Sequence, residues 1–107
     1  MLVRRFTATA SATNAPKYYT FFRDALTPQL KRIPGHRGAL VLSREDAGNV
    51  AITVLTFWES AEAIRAFAGD APNVAIVEPE ARAILASFDD RVEQFVVEVD
   101  TTVDWEN

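Results

Sequence analysis

The sequence predicts an α+β fold of the ferredoxin-like kind, β-α-β-β-α-β, a four-stranded antiparallel sheet with both helices on one face. Three observations lead there. Strand-like and helix-like periodicities follow one another in that order along the 107 residues. Compact turn signals separate them, Asp46-Ala47-Gly48-Asn49 most clearly. The run Val50 to Trp58 is apolar or Thr throughout, so neither of its faces is made for water.

The first strand is expected from Leu2 to about Ala10, where β-branched and aromatic residues show partial alternation. Asn14 reads as the cap of a helix whose first turn holds Pro16, a position at which the missing N–H has no partner to lose. Tyr19, Phe22, Leu26, Leu30 and Ile33 then form one apolar stripe. Pro28 lies within that stripe and removes the N–H that would bond Asp24, so a kink or break is expected near it. "IPGHRG" ends the helix: Ile33 precedes a proline, and Gly35 supplies a turn.

"HRGALVLSRE" is the second strand and forms a hairpin with the Val50–Trp58 strand. Ser60 caps a short helix with Ala63, Ile64 and Phe67 on its buried side, closed by Gly69. Pro79 opens a further helical run in which Ala81, Ile84, Leu85 and Phe88 line up, and "RVEQFVVEV" is the last strand. The chain reads as a single domain over residues 1–107, with a core from 2 to 99 and a tail from 100 to 107. Trp105 in that tail is either a contact with a partner subunit or disordered.

A sheet with both helices on one side leaves its other side bare. The third strand would present either Ala51, Leu55 and Phe57 there, or Val50, Ile52, Val54 and Trp58. Soluble monomers rarely expose so contiguous an apolar patch. The expected cover is a second copy of the sheet, packed face to face across a two-fold axis, making a homodimer through the helix-free face.

Composition narrows the function. A formal charge of −4 with scattered basic residues argues against a nucleic-acid groove. There is no cysteine, hence no disulfide, thiolate metal site or cysteine nucleophile. No stretch approaches the roughly 18 apolar residues of a membrane span, and no secretory leader is recognisable, so the expectation is a cytoplasmic protein. The acidic pairs Glu59/Glu62, Glu78/Glu80 and Asp89/Asp90 stand at helix starts and turns without a His at ligand spacing, so no metal is expected.

"TFWESAEAIRAFAG", followed by "AIVEPEARAIL" and preceded by "RIPGHRGALVL", resembles small proteins of the antibiotic biosynthesis monooxygenase type within the dimeric α/β-barrel superfamily. The resemblance runs from Phe6 to Val99. It implies a dimeric barrel and, in some relatives, oxygenation of polycyclic aromatic substrates by O₂ without metal or flavin. Others degrade haem. That branch shares the Trp-x-Ser motif, here Trp58 to Ser60, but carries an Asn on the first strand, a Trp where Phe67 stands and an iron-ligating His on the later helix. Here the first strand offers Thr7 and Thr9, and residues 73–88 contain no His, which argues against haem degradation. The family's last strand often ends with a His where this chain has Gln94, a departure that weakens the enzymatic reading.

Against that background His36, the only imidazole, is the candidate general base, with partial surface exposure as the alternative. Tyr19 could orient a phenol. Trp58, Phe22 and Phe67 are the candidate substrate-binding residues, although aromatics in such places more often serve as core. Three readings stay open: a cofactor-independent oxygenase of a small aromatic or quinol-type metabolite, a non-catalytic homodimer that binds a small apolar molecule, and an interaction module with a filled core.

Overall fold

The computed structural model describes residues 1–102; Trp105 lies outside them. The elements are β1 (Leu2–Ser11), α1 (Ala15–Phe21), a π-helical turn (Phe22–Leu26), α2 (Thr27–Lys31), β2 (His36–Asp46), β3 (Asn49–Trp58), α3 (Ala61–Ala68), α4 (Pro79–Ile84), β4 (Ser87–Phe88) and β5 (Glu93–Val96). The antiparallel strands are ordered β2-β3-β1-β4, with β5 also paired to β1. This is the ferredoxin-like arrangement, with its last strand in two pieces.

Register decides which residues face the helices. Leu2, Arg4, Phe6, Ala8 and Ala10 of β1 stand opposite Trp58, Thr56, Val54, Ile52 and Val50 of β3. In β3 Ile52, Val54, Thr56 and Trp58 are buried, while Ala51, Thr53, Leu55 and Phe57 alternate onto the helix-free face. The core between sheet and helices is built from Ile52, Val54, Trp58, Tyr18, Phe22, Leu30 and Ile64. The other face carries Leu40, Leu42 and Phe95 at 49%, 45% and 45% exposure, so the bare apolar side expected from the sequence is present.

Pro28 acts as expected, and the form of the break is specific. With no N–H at Pro28 and its ring crowding the preceding turn, the helix widens: the Thr27 N–H reaches back five residues to the Phe22 carbonyl. The Thr27 hydroxyl donates to the same oxygen at 2.9 Å. The hairpin turns on Ala47 and Gly48, both at positive φ, the combination that matches strand twist. The Ser60 hydroxyl accepts from the Ala63 N–H at 3.2 Å.

Three local expectations are corrected. The Asn14 side chain makes no cap bond; its backbone is already helical, and its carbonyl takes the Lys17 and Tyr18 N–H groups. The helix opened by Pro79 stops at Ile84, because Leu85 turns to extended backbone and the Ala86 N–H bonds the Thr9 carbonyl. Phe88 is therefore a strand residue opposite Ala8. The last strand covers only Glu93–Val96. Just before it, the Asp89 carboxylate accepts the Arg91 N–H at 3.0 Å, and the chain leaves β1 to pair with residues 73–75.

Candidate functional site

Two of the voids on the helix side of the sheet adjoin each other, with Phe22 and Leu30 lining both. The inner one, a chamber of about 50 Å³, is walled by Phe6, Leu26, Val54, Phe67 and Ala81 but also receives Arg4, Tyr18, Thr56 and Glu78. Arg4 is on a core-facing position of β1 and only 5% exposed. Its Nη2 donates to the Pro72 and Val74 carbonyls at 3.0 and 3.2 Å, its guanidinium lies 5.4 Å from the Phe67 ring centre, and its buried Nε has no partner.

Burial disturbs every ionisable group of this chamber. It lowers the Arg4 pKa, as desolvation of a cation must. It pushes the Glu78 carboxyl up, with Glu80 adding to the effect. Burial, and then the charge of Glu78, push the Tyr18 phenol up, so it stays protonated. Convergent perturbed groups around one void are a physical marker of a functional site. Thr56 adds a hydroxyl whose oxygen accepts the Trp58 indole N–H at 2.9 Å, leaving its own proton free to donate.

The outer void is a cleft of about 530 Å³ between the first helix and β2, the size of a small-ligand site. Tyr19, Phe22, Arg23, Thr27 and Lys31 form one wall, and His36, Arg37, Ala39 and Val41 the other. Both walls depend on irregular backbone. The π-helical turn supplies Phe22 and Arg23, and a β-bulge between His36 and Gly38 interrupts the register of β2 at Arg37. Burial pulls the His36 imidazole below its ordinary pKa, and its Nδ1 is buried without a partner.

The candidates named from the sequence divide between these spaces. Tyr19, His36 and Phe22 share the cleft, whereas Phe67 lines the inner chamber with Phe22. Trp58 lines neither. It is fully buried, stacked on Phe67 at 5.3 Å between ring centroids, and meets His36 edge-on. As it stands, Trp58 is the core partition that supports His36 and Phe67. The sequence reading marks neither Arg4 nor Thr56 as a site residue and takes Glu78 for a helix-start carboxylate. Strand alternation carried a signal for Arg4, which shares a face with Leu2, Phe6 and Ala8, where a charge is out of place.

The architecture is the ferredoxin-like fold, and solved structures of low sequence identity share it. Solved structures with a similar fold include the heme-degrader MhuD from Mycobacterium tuberculosis with two hemes bound in its active site, with a TM-score of 0.61, 24% identity, and coverage of 92% of this chain and 98% of that one. A mutant of MhuD with two manganese protoporphyrin IX bound per active site gives a TM-score of 0.65 at 23% identity, over 94% and 98% of the two chains. SnoaB, a cofactor-independent oxygenase from Streptomyces nogalater, gives 0.61 at 17% identity, over 94% and 95%. At these identities the likeness establishes the fold. No family model matches the sequence, nor does any curated protein.

A haem does not fit the inner chamber. The inner chamber is far smaller than a porphyrin and its lining includes no His. Its one phenol, Tyr18, is held protonated and is a poor iron ligand in that form. Among the described residues no cluster of three or more His, Asp or Glu is arranged for a metal, and no helix is long and apolar enough to cross a membrane.

Proposed function

We propose that this protein is a cofactor-independent oxygenase of a small aromatic or quinol-type metabolite, acting in the cytoplasm as a homodimer. The observation that carries the proposal is the sole imidazole, its pKa lowered by partial burial, on the wall of a ligand-sized cleft. A neutral imidazole can take a proton near pH 7. In this reading His36 removes the acidic proton of a phenol or anthrone-type substrate, Tyr19 hydrogen-bonds its oxygen, and Phe22 packs on its ring. The substrate anion passes an electron to O₂, the two radicals combine as a peroxide anion, and the His36 imidazolium returns the proton to give the hydroperoxide. Loss of water leaves a carbonyl, with one oxygen atom in the product and one in the water.

Dimerisation belongs to the same reading. Leu40, Leu42, Leu55, Phe57, Val3 and Phe95 form an apolar belt across four strands of the helix-free face. A second copy would remove it from water at ~25 cal/mol per Å².

The test is O₂ uptake with an anthrone-type substrate. His36→Ala should lower the rate by roughly 10²- to 10⁴-fold, the usual worth of a general base. An unaltered rate would take His36 out of the mechanism. One observation favours a second reading, a non-catalytic homodimer that binds a small apolar ligand. The space directly between sheet and helices is only about 50 Å³ and largely filled by aromatic side chains. Ligand binding without O₂ uptake would select that reading.

A further inference from the structure

The least expected feature of the molecule is a cation in its core with a donor left over. Arg4 is 5% exposed, and no carboxylate forms an ion pair with it among the described residues. Leaving a buried charge without a counter-charge is costly, and the Pro72 and Val74 carbonyls offset this only in part, through Nη2. The Nε–H belongs to the same buried guanidinium and has no acceptor among the described residues. An acceptor-seeking cation beside a small void is a site that lacks its anion.

We propose that the inner chamber is an oxyanion site, in which the Arg4 Nε–H, with the hydroxyls of Tyr18 and Thr56, holds a carboxylate. The donor count supports this. Tyr18 is kept protonated, and the Thr56 oxygen is already taken by the Trp58 indole, so both hydroxyls are donors available to a ligand oxygen. Apart from Glu78 the remaining wall is apolar, which strengthens every charge-assisted bond inside it. At about 50 Å³ the chamber accommodates a carboxylate group and not an aromatic ring. The carboxylate is therefore either a compact anion of acetate size or the acid end of a larger ligand. In the second case its ring occupies the cleft beyond Phe22 and Leu30, the two residues common to both voids. Glu78 faces the same chamber and opposes an anion when ionised. This inference rests on reading the helix side of the sheet as the ligand site.

The test follows the Nε–H resonance of Arg4 in the full-length protein labelled with ¹⁵N-arginine at pH 7. Sodium acetate and 2-naphthoate are titrated in turn, each against sodium chloride at equal ionic strength. A saturable shift with the carboxylates and not with chloride is expected. Naphthoate binding at least tenfold more tightly than acetate assigns the site to the acid end of a larger ligand, and equal affinities assign it to a compact anion. Glu78→Gln should tighten acetate binding several-fold by removing the opposing charge, and it leaves the bonds of Arg4 to Pro72 and Val74 in place. No saturable shift, an equal response to chloride, or an unaltered affinity in Glu78→Gln would overturn the proposal. No O₂ or oxidisable substrate is present in these titrations, so the oxygenase reading and the oxyanion site can fail separately.

Discussion

The imidazole of His36 meets the indole of Trp58 edge-on, with ring centroids 4.9 Å apart and planes at 65°. The two residues are paired across the β2–β3 ladder, and the indole is also stacked on Phe67. The proposed base thus rests on the most deeply buried aromatic of the core rather than on a loop. Its orientation depends on packing, since its Nδ1 has no hydrogen-bond partner to hold it.

That placement fixes a pH dependence. Burial depresses the His36 pKa from 6.5, so the folded protein favours the neutral ring more than the unfolded chain does. Below 6.5 the unfolded state binds more protons. The stability contribution is therefore complete above 6.5 and is lost as pH falls through the depressed folded value. The imidazole should titrate below 6.5 by NMR, and urea midpoints measured downward from pH 7 should fall less in His36→Gln than in the wild type. A titration at or above 6.5 would contradict the packing account.

Gly35 sets the start of the strand that carries His36. Its φ is +90°, and a Cβ there would stand 2.5 Å from the Ala63 Cβ, while its carbonyl accepts the Glu59 N–H at 2.7 Å. Gly35→Ala should destabilise the protein by on the order of 3 kcal/mol, combining left-handed strain with a clash against α3. Gly48, at φ +86° with open space around it, isolates the first effect, and Gly48→Ala should cost about 1 kcal/mol. Thermal melts of the two variants side by side check the difference. Equal losses would mean that α3 yields.

The fold was largely legible in the sequence because each element had a local cause: the apolar-or-Thr run of β3, Ser60 as a cap, Pro28 as a helix disturbance. The last strand was less so. A carboxylate bond to the Arg91 N–H and pairing with residues 73–75 divert the chain, and such partners are distant or conditional on the fold. The site was legible by residue type more than by place. His36 was found as the only imidazole, but the chamber assembles Arg4, Thr56 and Glu78 from three separate elements, and only β-strand alternation hinted at the first of them.

Glu78 supplies an opposite pH signature. Burial raises its folded pKa above 4.5, so its stability contribution is fully present below 4.5 and is lost as pH rises through the folded value. At neutral pH the wild type therefore holds a carboxylate it would rather protonate. Glu78→Gln should melt higher than the wild type at pH 7, with the gap closing below pH 4.5. A variant that is less stable at pH 7 would show that the carboxylate has a favourable partner in solution.

The helix-free face supplies the last prediction. Leu55 stands opposite Leu40 on β2 and Arg5 on β1, near the middle of the apolar belt, and Arg5 is itself 3.5 Å from Glu93. A stable interface removes about 800 Å² per partner, and its centre tolerates charge poorly. The wild type should sediment at twice the 11.9 kDa subunit mass at micromolar concentration. Leu55→Glu introduces a carboxylate that meets its own symmetry mate or a neighbouring apolar side chain across the two-fold axis. It should shift the population to single subunits while the circular dichroism spectrum stays that of the folded chain, because the helix-side core is untouched. A wild type that sediments as a single folded subunit would leave Leu40, Leu42 and Phe95 wetted in solution and would remove the dimer from the account.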